Sequence, residues 1–147
     1  MFMGQYAHKI DTRDRMSIPA RMRDELYRGS SEHPIITAGF EKCLFLYPMD
    51  RWRKFSEEAE SLKTSREDSR KLERFLFSYA CECPCDPQGR IIIPRHLCEY
   101  SGLKQDVIII GVRHRIELWD RVEWESQAKL IRDAAVSIAE KNDGFTI

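Results

Sequence analysis

A ten-residue pattern occurs twice in this sequence and constrains the fold more than any other feature. The copies occupy residues 10–19 and 85–94, and each has an Asp, three residues, an Arg, two residues and then Ile-Pro. Each copy predicts a strand, a tight turn, a short second strand and a helix. Proline suits the start of a helix because the first helical turn does not use its missing N–H. Before the Arg stands Asp14 in one copy and Gly89 in the other, and the glycine indicates a positive φ there.

The repeat extends well beyond these turns. The positions that match further along the chain are Gly39 and Gly111, Leu46 and Leu118, Tyr47 and Trp119, and Trp52 and Trp124. One copy of roughly 45–50 residues is too small to bury a core of its own, so the copies are expected to share one core with pseudo-twofold symmetry. We predict a first repeat at 5–52, a connecting helical hairpin at 53–78, a second repeat at 79–124, and a C-terminal helix and tail at 125–147.

Local signals place several further elements. The apolar run 43–47 predicts a buried strand, and 80–85 predicts another strand. Helix starts are indicated at Thr64-Ser65, with acidic residues following, and at Asp120, which is followed by Glu123. A helix end is indicated near Ser101-Gly102, since glycine commonly ends helices. The last helix is expected to present one apolar face, made of Trp124, Ala128, Ile131, Ala135 and Ile138.

Composition limits the functional classes. The chain has 147 residues and a formal net charge of +0, which argues against a general polyanion binder but allows a local basic patch. No apolar run approaches the roughly 20 residues of a membrane helix, and no signal peptide is recognisable, so a cytoplasmic protein is expected. No phosphate loop, zinc-protease motif or nucleophile context is present, and the four histidines are scattered. We therefore expect neither an enzyme nor a cofactor.

The cysteines form the one other pattern with chemical potential. Cys81, Cys83 and Cys85 alternate along the chain, with Cys98 nearby. This run could form a metal or thiol sensor, but its spacing is not that of the usual zinc pairs. The simpler interpretation is a strand that uses cysteine as a small apolar residue on one face. No metal site is predicted.

The repeated Arg has two interpretations. Asp11 with Arg15, and Asp86 with Arg90, could pair locally and stabilise each turn. Alternatively, Arg15 and Arg90 could project from a hairpin towards phosphates or base edges, because the planar guanidinium donates two hydrogen bonds at once and a β-ribbon fits the major groove. The residues alone leave both open, and the Asp could serve both by orienting the Arg.

At these residues the sequence resembles the MraZ family, the bacterial transcriptional regulators of the division and cell-wall gene cluster. The resemblance rests on the doubled turn, on Leu-Phe-Leu-Tyr-Pro at 44–48, on Gln-Gly-Arg-Ile-Ile-Ile-Pro at 88–94 and on Ile-Glu-Leu-Trp-Asp at 116–120. It runs from about Tyr6 to Trp124. Two such turns in tandem, with matching surroundings, are highly specific.

The resemblance implies a β-rich α+β fold: two tandem AbrB-like swapped-hairpin (double-split β-barrel) modules that form an intrachain pseudo-dimer. It also implies a nucleoid-associated homo-oligomeric ring, such as an octamer, that binds double-stranded DNA at repeated promoter elements of its own operon. Carried over by residue, the DNA-facing positions are Arg13, Arg15, Gln88 and Arg90, with Gly89 shaping the turn. The supporting residues are Asp11, Asp86, Pro19 and Pro94.

One departure from the family and one alternative function remain. The family favours Lys-Gly-Arg in the first turn, where this chain has Arg13-Asp14-Arg15. Asp14 adds negative charge beside the proposed phosphate contacts and is expected to strain the turn. The alternative function is a protein-interaction module, since AbrB-like modules also resemble antitoxins that bind a toxin.

Overall fold

The computed structural model describes residues 1–145, which form five α-helices and eight β-strands. The fold is mixed α+β with antiparallel sheets, but it is not β-rich as the resemblance implied, because its helices hold more of the chain than its short strands. The strands are β1 (Gln5–Lys9), β2 (Arg15–Ser17), β3 (Ile35–Ala38), β4 (Leu44–Tyr47), β5 (Cys81–Glu82), β6 (Arg90–Ile92), β7 (Asp106–Val112) and β8 (Arg115–Asp120). The helices are α1 (Ala20–Leu26), α2 (Met49–Glu60), α3 (Arg66–Tyr79), α4 (Arg95–Ser101) and α5 (Arg121–Glu140).

The main sheet is built from both repeats. Its strand order is β1-β7-β8-β4-β3-β5, and all neighbours are antiparallel. β1 from the first repeat pairs with β7 from the second, while β5 from the second pairs with β3 from the first. Each repeat therefore completes the sheet of the other, and the two cannot be separated without breaking strand pairs.

A second, two-stranded sheet joins β2 to β6; we call it the ribbon. Its register pairs Arg15 with Ile92, Met16 with Ile91, and Ser17 with Arg90. Because Met16 and Ile91 hold the same position in their repeats, this register is symmetric about their pair. The shared pseudo-twofold arrangement expected from the sequence is thus visible in the backbone.

The core lies on both faces of the main sheet. All four residues of β4 are buried, as the apolar run predicted, because alternate side chains enter opposite clusters. One cluster contains Leu44 and Leu46 together with Met16 and Ile91 from the inner face of the ribbon. The ribbon is therefore anchored on the core, and its other face points to solvent.

Several local predictions are confirmed. The Ser65 side chain accepts a hydrogen bond from the N–H of Asp68, and Asp120 accepts one from Glu123, so both residues cap their helices. Gly102 ends α4 in the left-handed conformation at φ 66°.

Other predictions need correction. The strand predicted at 80–85 covers only Cys81–Glu82, because Pro84 has no N–H with which to extend the ladder. Pro19 and Pro94 stand just before the first helical residue, as N-caps, and not within the first turn.

The apolar face predicted on α5 lies largely outside the core. None of the residues of α5 is buried within the described chain, and Ile131 and Ile138 are largely exposed. The last two residues of the predicted tail lie outside the described residues. Across residues 1–145, no helix combines the length and apolar character that a membrane crossing requires.

Candidate nucleic-acid interface

The first turn, residues 11–15, is organised by one carboxylate. Oδ1 of Asp11 accepts hydrogen bonds from the backbone N–H of Arg13 at 2.8 Å and of Arg15 at 3.0 Å. Oδ2 accepts from Nε of Arg15 at 2.8 Å. The backbone N–H of Arg15 lowers the pKa of Asp11 most; desolvation opposes it, and the backbone N–H of Arg13 and the Arg15 side chain keep the pKa below its ordinary value. The carboxylate thus fixes the backbone and the arginine together.

The second turn, residues 86–90, repeats this geometry. Asp86 accepts from the backbone N–H of Gln88 and of Arg90, both at 2.9 Å, and from Nε of Arg90 at 2.9 Å. The same causes, led by the backbone N–H of Arg90, lower the pKa of Asp86. Here Nη2 of Arg90 also donates to Oε1 of Gln88. The local Asp–Arg pairing that the sequence offered as a structural interpretation is therefore present in both turns.

The residue before each arginine has a positive φ, as the glycine indicated. Asp14 has φ 60° and Gly89 has φ 79°. Each turn closes with two backbone bonds, which join Asp11 to Asp14 and Arg15 in the first turn and Asp86 to Gly89 and Arg90 in the second. This is the pattern of a three-residue hairpin loop that ends in a left-handed residue.

The turns are locked to each other across the repeats. The backbone N–H of Ile93 donates to the carbonyl of Asp14 at 2.9 Å, and that of Ile18 donates to the carbonyl of Gly89 at 3.0 Å. These two bonds are equivalent under the pseudo-twofold symmetry. Each turn is consequently held by the strand that follows the other.

The outer face of the ribbon brings the two arginines together. Directly opposed residues in an antiparallel pair point to the same side, so Arg15, Ile92, Ser17 and Arg90 share the face opposite buried Met16 and Ile91. Arg15 and Arg90 stand diagonally on this face, with Cα atoms roughly 8 Å apart from strand geometry. They are two copies of the same group on one surface.

The guanidinium groups are oriented by the carboxylates and keep N–H donors available for a ligand. The side chains of Arg15 and Arg90 are 27% and 28% exposed. Since Asp11 takes Nε of Arg15, the plane of the group is set, and within residues 1–145 its two Nη atoms have no acceptor. Arg13 and Gln88 are exposed beside them on the turns. This arrangement can offer paired N–H donors to a phosphate or to a guanine edge.

The space beside Asp14 differs from the space beside Gly89. This difference explains how the first turn accommodates Asp14 where the second turn has glycine. A Cβ built on Gly89 would lie 1.3 Å from Nη1 of Arg23, so the α1 arginine fills the space that a side chain would need. The repeat position equivalent to Arg23 is the smaller Cys98, which leaves room for Asp14. Asp14 also has Nη2 of Arg95 at 4.0 Å.

Arg23 belongs to the candidate site and was not among the residues predicted from the sequence. It stands on α1 of the first repeat yet covers the turn of the second. Its only sequence signal was membership of a cluster of arginines after the first turn, a cluster that also includes Arg21 and Arg28.

The prolines hold the helices behind the turns. The carbonyl of Pro19 accepts from the N–H of Arg23, and that of Pro94 accepts from the N–H groups of Leu97 and Cys98. Each proline therefore supports the first turn of the helix that packs behind the ribbon.

The cysteine run packs onto the core, as the simpler interpretation expected, although only Cys81 of the three lies in a strand. Cys83 is buried in the core cluster, and Cys81 and Cys85 pack against it. Burial raises the pKa of all three thiols, which favours the protonated form over the thiolate that binds metals. Among residues 1–145, no group of three or more His, Cys, Asp or Glu side chains is arranged to hold a metal ion.

Comparison with known proteins places this chain in a family. A family model described as "MraZ protein, putative antitoxin-like" matches the chain twice, over residues 1–75 and 76–144. A protein of Moorella thermoacetica named "Transcriptional regulator MraZ" is 43% identical over 147 residues, which is the full length of both chains. Proteins of the same name from Caldanaerobacter subterraneus and Heliobacterium modesticaldum are 42% and 41% identical, again over the full length of both chains.

Proposed function

Because the chain belongs to the MraZ family, we propose that it is a sequence-specific DNA-binding transcriptional regulator without enzymatic activity. The observation that carries this proposal is the pair of Asp-clamped arginines, Arg15 and Arg90, on the outer face of one ribbon. The names of the relatives support the regulatory role. The targets we propose are repeated elements in the promoter of the protein's own operon, in the division and cell-wall cluster.

The ribbon suits the shape of DNA. A two-stranded antiparallel ribbon fits the major groove of B-form DNA, where each base pair presents a distinct set of donors and acceptors. We assign direct contact with phosphates or bases to Arg13, Arg15, Gln88 and Arg90, with Gly89 shaping the second turn. Asp11 and Asp86 orient the arginines, and Pro19 and Pro94 position the helices behind them.

The strand exchange supports the finer description of the fold. β1 with β7, β5 with β3, and β2 with β6 are all pairings between the repeats. We propose that they form two AbrB-like swapped-hairpin modules joined as an intrachain pseudo-dimer. The predicted boundaries stay part of this proposal; those after residues 52 and 124 fall inside α2 and α5.

We further propose a homo-oligomeric ring, such as an octamer, that works at the nucleoid in the cytoplasm. The exposed apolar side chains of α5 support self-association, because soluble monomers rarely leave such faces uncovered. A ring would present several ribbons to repeated DNA elements. Linked weak contacts of this kind raise the overall affinity through effective concentration.

The same helix supports a second candidate function. The apolar face of α5 could bind a partner protein, and the family description includes the term antitoxin-like. In this candidate the chain is a protein-interaction module without specific DNA binding. A ring that assembles from the purified chain alone and covers α5 would count against it.

The direct experiment measures binding of the purified protein to its own upstream promoter fragment, beside a scrambled fragment of equal composition, at several salt concentrations. The regulator proposal expects tight, salt-sensitive binding to the promoter alone, and the slope of log affinity against log salt gives the number of phosphates engaged. Equal and weak binding to both fragments would contradict it and favour the interaction module.

A further inference from the structure

The outer face of the ribbon breaks its own symmetry at one pair of positions. Arg15 and Arg90 are equivalent in the two repeats, and so are Met16 and Ile91 beneath them. Ser17 and Ile92 are equivalent too, but one is small and hydroxylic while the other is large and apolar. Arg15 therefore has Ile92 opposite it in the register, whereas Arg90 has Ser17.

Core packing does not require an apolar residue at position 92. Its neighbours Ile91 and Ile93 are 0% exposed, while Ile92 is 63% exposed. The residue lies on the solvent side of a strand whose other face already supplies the packing. A polar residue can occupy this position without loss of core packing, as Ser17 does in the other repeat.

The side chains around Ile92 indicate the chemistry of the ligand that it would contact. Arg15 stands directly opposite, at the roughly 5 Å between Cβ atoms of an opposed pair, and Arg90 stands two residues earlier on the same strand and face. Two oriented cations beside an exposed apolar side chain fit a polyanion with an apolar group at the same surface. In duplex DNA the major groove has one such group, the C5-methyl of thymine.

We propose that Ile92 is a specificity-determining residue that contacts a thymine methyl in the major groove, beside the contact made by Arg15. Ser17, at the equivalent position, can hydrogen-bond to any base edge and does not select for the methyl. The two halves of the ribbon therefore read different bases, and the chain has one preferred orientation on its site. This inference rests on the proposed DNA binding and adds to it the group that is recognised.

Deoxyuridine in place of thymine tests this directly, since it removes the methyl and keeps base pairing. The promoter fragment is prepared with all thymines and again with single positions replaced, and its Kd for the full-length protein is measured by fluorescence anisotropy. The wild type is expected to lose about fourfold in affinity for each critical methyl, the value of one buried carbon group. Ile92→Ser is expected to bind the thymine and deoxyuridine fragments equally.

The matched variant is Ser17→Ile, which gives both halves the same residue. It is expected to become sensitive to a thymine methyl in the other half of the site, and so provides a readout that does not depend on Ile92→Ser. A wild type indifferent to every replacement, or an Ile92→Ser variant with unchanged sensitivity, would overturn the inference while promoter binding itself persists. Absence of promoter binding on any fragment would overturn the proposed function and this inference together.

Discussion

The backbone N–H of Ile93 donates a hydrogen bond to the carbonyl of Asp14 at 2.9 Å, and so joins the second repeat to the turn of the first. Its counterpart runs from Ile18 to Gly89 at 3.0 Å. Neither turn has its full set of hydrogen bonds without the other repeat. The site is a property of the whole chain, although its motif is short and local.

This interlock predicts that a single repeat does not fold as a monomer. Fragments 1–75 and 76–147 are each expected to give the circular dichroism of a largely unfolded chain at low concentration, because each lacks strands that pair with its own. An equimolar mixture is expected to recover ordered structure. A cooperative, monomeric unfolding transition from either fragment alone would contradict the shared core.

Exchanging the residues at the two left-handed positions is expected to raise DNA affinity in the first turn and to lower fold stability in the second. Asp14→Gly removes a negative charge next to Arg13 and Arg15, so it is expected to tighten DNA binding, most strongly at low salt. Gly89→Asp is expected to destabilise the fold by about 1 kcal/mol, since it strains φ and displaces Arg23. Thermal unfolding and promoter titration measure both. Weaker binding by Asp14→Gly would show that Asp14 assists the contact.

The lowered pKa values of Asp11 and Asp86 predict an acid dependence of stability. Their charged forms are stabilised in the folded state, so this contribution is complete above the ordinary Asp value of 3.8 and is lost as the pH falls through the lower folded pKa. Denaturant unfolding between about pH 5 and 2 should show a shallower loss of stability for the variant that combines Asp11→Asn with Asp86→Asn than for the wild type. Asp133→Asn, at an exposed position of α5, is the control. Parallel pH profiles for wild type and double variant would contradict the assignment.

The exposed face of α5 predicts a self-association surface. Ile131→Glu is expected to shift the protein to smaller assemblies in light scattering after size exclusion, with its circular dichroism unchanged, because α5 has no buried residue to disturb. Lys129→Glu, on the polar side of the same helix, is the matched control. An unchanged mass for Ile131→Glu would mean that subunits meet elsewhere.

The elements that could be predicted from the sequence are those set by neighbouring residues. The turns, the helix caps and the buried strand, predicted at 43–47 and found at 44–47, all depend on short spacings and are present in the structure. The position of Arg23 over Gly89 could not be predicted, because it results from the pairing of strands from different repeats. The exposure of the apolar α5 face could not be predicted for a related reason, since a periodic apolar pattern does not show what covers the face.

The central claim is that the side chains of Arg15 and Arg90 contact DNA. The most direct test is promoter binding by Arg15→Ala and Arg90→Ala at one salt concentration. The Asp–Arg pairs are partly exposed, and ion pairs at the surface add little to stability, so both variants are expected to keep a near-native unfolding midpoint. Each is expected to bind the promoter roughly 5- to 150-fold more weakly, the loss of 1–3 kcal/mol typical of a bidentate arginine contact. Arg70→Ala, at an exposed site on α3, is expected to bind as the wild type does. Native affinity in both arginine variants, or their unfolding, would show that the arginines serve the turns and not the DNA.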